Sequence, residues 1–187
     1  MADEGKEQRV HSIHQILGEH IPESEPLLHF DNCYQLLISV IMSAQTTDAQ
    51  VNEVTPVLFA RFPKSDDLAN APQEEVEQII HSTGFFRSKA RNIRGTARML
   101  MDRHGGVVPE SMAALVELPG VGRKSANVVL GHCFGQPAVI VDTHFSRVVR
   151  RIGLTEESDP TKIEQAIKAM APRNCSPQSH FNEASRS

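Results

Sequence analysis

Lys124 closes the run Leu118-Pro119-Gly120-Val121-Gly122-Arg123-Lys124, and Asp142 follows 18 residues later, directly after the apolar stretch Ala138 to Val141. Pro119 and the two glycines break one helix and let the backbone turn tightly, while Val121 between them can plug the turn into a core. The helix that starts directly afterwards turns its first amides outward, and with the glycine backbone these form an anion site suited to a phosphate. The unit is a helix-hairpin-helix. A lysine in the first turn of its second helix is an amine nucleophile if partial burial and the positive end of its own helix disfavour the ammonium form. The plainer alternative is a solvated lysine at a helix start. Asp142 reads first as the N-cap of a helix carrying Phe145, Val148, Val149 and Ile152, and a cap would hold the carboxylate rigid for electrostatic or proton-transfer work.

The elements that must position these groups are helical. Val10, Ile13, Ile16 and Leu17 form one apolar stripe, and the near-continuous run Leu36 to Met42 predicts a central helix buried on most sides. Pro72 opens a segment with Val76, Ile79 and Ile80 on one face, stopping at Gly84. Ser88 is placed to cap a helix with Ile93, Ala97, Leu100 and Met101 that ends at Gly105; Pro109 starts a short helix through Leu115 and Leu118. Asp159 and Pro160 make a cap and first-turn pair for the helix with Ile163, Ala166, Ile167 and Met170. The strand-like run Ala138 to Val141 is too short and solitary for a sheet. The fold class is all-α. The expected division is a central domain over 31–153, with the hairpin at about 109–131, and a second lobe from 1–30 plus 154–187. The stretch 171–187 reads as a loop followed by an unfinished element.

With 187 residues, 40% hydrophobic, the chain can bury a core, and its apolar content excludes a disordered chain. No run is long enough to span a bilayer, and the start Met1-Ala2-Asp3-Glu4 lacks the basic, apolar pattern of a secretory signal, so a cytosolic protein is expected. Cys33, Cys133 and Cys175 are odd in number and far apart in sequence, which excludes a disulfide framework or a four-cysteine metal knuckle; they read as buried small hydrophobes. His11 and His14 can share a helix face, but without a third ligand no metal site follows. The net charge of -4 argues against nucleic acid only as an average. From Phe85 to Arg151 there are 11 basic residues against 4 acidic, a net +7, while the remainder carries -11. The positive stretch contains the hairpin, Lys124 and Asp142, and predicts a basic stripe and salt-sensitive binding.

Four segments, Ser43-Ala44-Gln45-Thr46-Thr47-Asp48, Ser88-Lys89-Ala90, Leu118 to Leu130, and Val141-Asp142-Thr143-His144 with Arg147, are ordered and spaced as in bacterial endonuclease III. The chain resembles that family of helix-hairpin-helix DNA glycosylases from about Val10 to Met170. The resemblance implies a base-excision repair enzyme with apurinic/apyrimidinic lyase activity, acting on oxidised pyrimidines in duplex DNA and cleaving the strand by β-elimination through a lysine Schiff base. It gives Lys124 the nucleophile role and Asp142 the electrostatic and general-base role. Gln45 becomes the wedge that fills the gap left by a flipped base, and Phe85 or Phe86 a second, apolar wedge, with burial in the core as the alternative. Gly120, Val121 and Gly122 become the phosphate-binding hairpin, with Arg123, His144 and Arg147 as phosphate contacts.

Members of that family carry a [4Fe-4S] cluster held by C-x6-C-x2-C-x5-C beyond the final helix. Cys175 is the only cysteine in that region, and one thiolate cannot hold a cluster that needs four, so no cofactor is supported and a truncated reading frame is the favoured explanation. Reduced stability and weaker DNA affinity are expected. A non-catalytic DNA-binding module or inactive truncated product is the alternative function, and a mismatch-adenine glycosylase a third; Lys124 counts against both. The expected partner is double-stranded DNA with damaged or abasic nucleotides, bound by a monomer.

Overall fold

The computed structural model describes residues 2–20, 27–136 and 138–170. Among the described residues the elements are helical without a strand: α1 (Ala2–His20), α2 (Cys33–Met42), α3 (Asp48–Arg61), α4 (Ser65–Asn70), α5 (Gln73–Ile79), a 3-10 turn (His81–Thr83), α6 (Phe86–His104), α7 (Met112–Val116), α8 (Arg123–Phe134), α9 (Thr143–Arg151) and α10 (Pro160–Met170). The all-α expectation holds. The expected unfinished element at 171–187 lies outside the described residues, as does Cys175.

Helix α2 is the axis of the larger core. Leu36, Leu37, Ile38, Ile41 and Met42 are each 2% exposed or less, so several faces of the helix are covered, chiefly by α8 and α6. Each such side chain contributes about 1.5–3 kcal/mol of burial before entropy is counted. Asn32 starts the helix by accepting from the Gln35 amide at 3.0 Å. Helix α3 was not legible in the sequence: Pro56 in its interior speaks against a helix, but Val51, Val54, Leu58 and Phe59 bury one face and tertiary packing prevails. Two starts are also shifted. Helix α6 begins at Phe86, before the expected Ser88 cap, and α7 begins at Met112 because Ser111 accepts from the Ala114 amide at 3.2 Å.

A second core joins Val10 of α1, Val149 of α9, Leu154, and Ile163 and Ile167 of α10, with Val139, Val141 and Phe145 packed against it. Helix α9 sends its buried residues into this second core and not into the one around α2. The reason is its register: Phe145, Val149 and Ile152 share a face opposite Arg147, Arg150 and Arg151. On α1, Ile13 packs against this core, while Ile16 and Leu17 stand 55% and 48% exposed.

The hairpin between α7 and α8 is braced by α6, where the Thr96 hydroxyl donates to the Pro119 carbonyl at 2.9 Å. Val121 is buried, as its place between the glycines predicted. The two glycines differ. Gly120 has φ +80, and a Cβ there would lie 2.9 Å from Asn92 Nδ2 and 3.0 Å from Ile41 Cγ2. Gly122 has φ -91, which any residue adopts, and open space where a Cβ would stand. Gly120→Ala is therefore expected to cost about 1–2 kcal/mol in urea unfolding, from left-handed strain and displaced neighbours. Gly122→Ala should leave the midpoint within about 0.5 kcal/mol of wild type.

Candidate active site and nucleic-acid interface

Lys124 occupies the first turn of α8, whose N-cap, Gly122, supplies no side-chain acceptor to the leading amides. Those amides are left for an external anion. Asp142 caps α9, its carboxylate accepting from the Phe145 amide at 2.7 Å. That hydrogen bond holds its carboxyl below the usual 3.8 against a partial burial that pushes the other way, and the Lys124 ammonium and His144 lower it further. Asp142 is thus ionised at neutral pH, and it faces Lys124 closely enough to feel its charge. Lys124 itself is exposed. The partial burial expected from its position is absent in the protein alone.

Two cavities meet at Lys124. The larger, about 980 Å³, is lined by Asp142, Thr143, Arg147, Arg150 and Arg151 as well as Lys124. The second, about 590 Å³, opens between α2 and α8 and is lined by Gln45, Asp48, Lys124, Ser125 and His132 with apolar Leu36, Val40 and Ile140. Burial pushes the His132 imidazole below its ordinary value, so at neutral pH it is a neutral partner in this second cavity. One amine therefore stands between a cationic cleft and a half-apolar recess, an arrangement suited to a polyanion outside and a planar ring inside.

The wedge candidates are placed differently from one another. Phe85 is 69% exposed with φ +46, whereas Phe86 is partly buried, its ring 4.4 Å from that of His81. Of the two, Phe85 is the one exposed to solvent. Gln45, in the turn that ends α2, is exposed with φ +55. Among the described residues these are the only non-glycines with positive φ, a strained state that needs support from its surroundings.

Arg123 is engaged within the protein on one side of its guanidinium. Its Nε and Nη2 donate to Glu164 of α10 at 2.6 and 3.1 Å, and Lys168 Nζ donates to the same carboxylate at 2.9 Å. Glu164 is only 2% exposed. Burial pushes its carboxyl up, but the hydrogen bonds from Arg123, Lys168 and Asn127 outweigh this and bring it below the usual 4.5. The cluster joins the helix bearing Lys124 to α10, which packs in the second core beside α9, the helix that Asp142 caps. Sequence reasoning missed it. The one available signal was a carboxylate between Ile163 and Ile167, on the buried side of an amphipathic helix and four residues before Lys168. His144 and Arg147 are exposed as expected, with Arg147 Nη2 donating to His144 Nδ1 at 3.0 Å.

The expected basic stripe is thinner than the count suggested. Arg94 donates to Gln73, Arg98 to the Ala69 carbonyl, Arg103 to Glu117, Lys89 to the Thr83 carbonyl and Arg123 to Glu164. Of the exposed cations, Lys124, Arg147, Arg150 and Arg151 line the larger cavity, and Arg87 and Arg91 stand on α6 near the Phe85 turn.

The cysteines also differ from expectation. Cys33 and Cys133 are half-buried and hydrogen-bonded to each other at the edge of the larger core, a pairing that lowers the Cys33 thiol and raises Cys133. Two thiols committed to each other do not fit an iron-sulfur cluster, three cysteines in the whole sequence are too few for one, and among the described residues no group of three or more His, Cys, Asp or Glu side chains could hold a metal ion.

Residues 38–173 match the model of the HhH-GPD superfamily of base excision DNA repair proteins. The endonuclease III of Synechocystis is 47% identical over 169 residues, 90% of this chain and 77% of that protein. The chain belongs to the endonuclease III family. The Escherichia coli K12 endonuclease III is 40% identical, over 83% of this chain and 74% of its own length. Among solved structures, an endonuclease III in a non-covalent complex with DNA superposes with a TM-score of 0.83 at 40% identity, covering 90% of this chain and 79% of that one. A trapped covalent endonuclease III–DNA intermediate superposes with 0.84 at 39% identity, covering 91% and 81%. A thermostable thymine-DNA glycosylase, at 24% identity and a TM-score of 0.78, shares the fold. No helix among the described residues is long and apolar enough to cross a membrane.

Proposed function

We propose that this protein is a base-excision repair DNA glycosylase with apurinic/apyrimidinic lyase activity, acting on oxidised pyrimidines in duplex DNA. The observation that carries the reading is Lys124 at the junction of the two cavities, opposite an ionised Asp142, in an endonuclease III family chain. The amine attacks the sugar C1′, the bond to the damaged base breaks, and the base departs with a proton. The C1′–O4′ bond then breaks, O4′ taking up a proton as the sugar ring opens, and the lysine adduct becomes an imine. The imine acidifies the C2′ proton, whose loss expels the 3′ phosphate; water then hydrolyses the C1′=N bond and releases Lys124. A carboxylate held below its ordinary range is a weak base, so the chief service of Asp142 is to stabilise positive charge at the sugar and on the lysine. Lys124, exposed in the free protein, is desolvated by the DNA itself. A binding module has no need of this amine and carboxylate facing each other. The same reading assigns the protein to the bacterial cytosol and nucleoid, where duplex DNA lies, and to action as a monomer.

Borohydride trapping tests the reading: wild type incubated with abasic duplex should give a covalent adduct, and a folded protein that gives none refutes it. Salt dependence tests the interface. Four to six exposed cations imply a slope of log K against log salt of about -4 to -5, since each neutralised phosphate contributes about -0.9. Arg150→Ala and Arg151→Ala should each reduce it by about 1. A slope of about -10 would mean that the internally paired arginines are released to DNA.

A further inference from the structure

Lys89 is the buried cation that the proposed chemistry leaves unused. It lies in the first turn of α6 and is 4% exposed, and among the described residues no carboxylate pairs with it. Its ammonium donates to the Thr83 carbonyl at 2.7 Å, and burial pushes it below the ordinary lysine value. The same carbonyl accepts from the Thr46 hydroxyl at 2.8 Å. Thr46 follows Gln45 and Thr83 lies two residues before Phe85, so a single oxygen ties together the turns that carry both strained, exposed side chains. Gln50 adds a weaker link, its Nε2 donating to the Ser82 carbonyl at 3.4 Å.

A buried charge without a counter-ion is costly, and packing alone would be served by an apolar side chain of similar shape. A charge-assisted hydrogen bond is shorter and stronger than a neutral one. It is the kind of tie needed where two side chains must enter a base stack that resists unstacking. We infer that Lys89 is a positioning residue that locks the Gln45 and Phe85 turns into one double wedge through the Thr83 carbonyl. This rests on the glycosylase reading for its consequence, though not for the tie itself.

The tie and its consequence are tested on Lys89→Met, with Thr46→Val and Thr46→Ser as independent variants at the other donor. Amide hydrogen exchange reads the tie without any substrate. Lys89→Met should speed exchange at both 44–47 and 82–86; faster exchange at 82–86 alone overturns the coupling. Excision is then compared on two duplexes, one with an oxidised pyrimidine opposite a normal base and one with the same lesion opposite an abasic gap, where no displaced partner base has to be held apart. Lys89→Met should lose about tenfold to a hundredfold on the paired lesion and less than about threefold at the gap, because misplaced positioning groups act only where positioning is needed. Thr46→Val should show the same split and Thr46→Ser should resemble wild type. Equal losses on both duplexes, or none on either, refute the positioning role. Wild type inert on both, with the exchange coupling intact, would refute the glycosylase reading and leave the tie standing.

Discussion

Lys124→Ala is expected to abolish the borohydride-trapped adduct and to slow strand cleavage at an abasic site about a thousandfold or more, the scale on which removing a covalent nucleophile acts. The imine needs a primary amine within reach of C1′, and Lys124 is the amine that lines both cavities. Because its side chain is exposed, the substitution removes no packing, so the unfolding midpoint should stay within about 0.5 kcal/mol of wild type. Duplex binding should weaken by no more than about tenfold, the share of one phosphate contact among several. Loss of the adduct with stability and binding retained locates the chemistry at this residue. A residual adduct of unchanged rate would transfer the nucleophile role to another amine.

The sequence made the chemistry more legible than the framework. Lys124, Asp142 and the hairpin lie within one local stretch, where turn residues, caps and spacing are written in order, and Asp142 and Val121 fall where those signals put them. The same local logic identified α2 as central, since an apolar run without a polar face has nowhere else to go. What the sequence concealed depends on pairing across distance. Arg123 looked like a phosphate ligand because its neighbours are hairpin residues; its partner is Glu164, 41 residues away. The charge count likewise could not show which arginines of α6 are spent on carbonyls and side chains of α4, α5 and the hairpin. Lys89 stood in view as part of a familiar string, yet its burial and its shared acceptor with Thr46 are properties of two turns brought together by the fold. Lys124 illustrates the converse: a local argument for burial fails because, among the described residues, no other part of the fold covers Lys124 in the first turn of α8, and the side chain is exposed.

The Arg123–Glu164–Lys168 cluster leads to the second large effect, and its direction follows from unequal burial. Glu164 is 3% exposed at its side chain, whereas Arg123 and Lys168 are 40% and 35% exposed. Arg123→Met leaves a buried carboxylate short of its two strongest donors and is expected to cost about 2–4 kcal/mol at pH 7, toward the range for breaking a buried pair. Glu164→Gln leaves two cations that water can reach and keeps one acceptor oxygen, so its cost should be about 1–2 kcal/mol. The pH dependence has a definite sign. Glu164 is held below the usual 4.5 in the folded protein, so its contribution is full above that value and is lost as pH falls through the lower folded value. The deficit of Arg123→Met should therefore be largest near neutrality and shrink as pH falls below the usual 4.5 and through the lower folded value, where the carboxyl is protonated. Urea unfolding of the three proteins in a pH series descending from 7 until the carboxyl is protonated measures both. Equal costs for the two variants, or a deficit that does not change with pH, would remove Glu164 as the anchor that holds the Lys124 helix against α10.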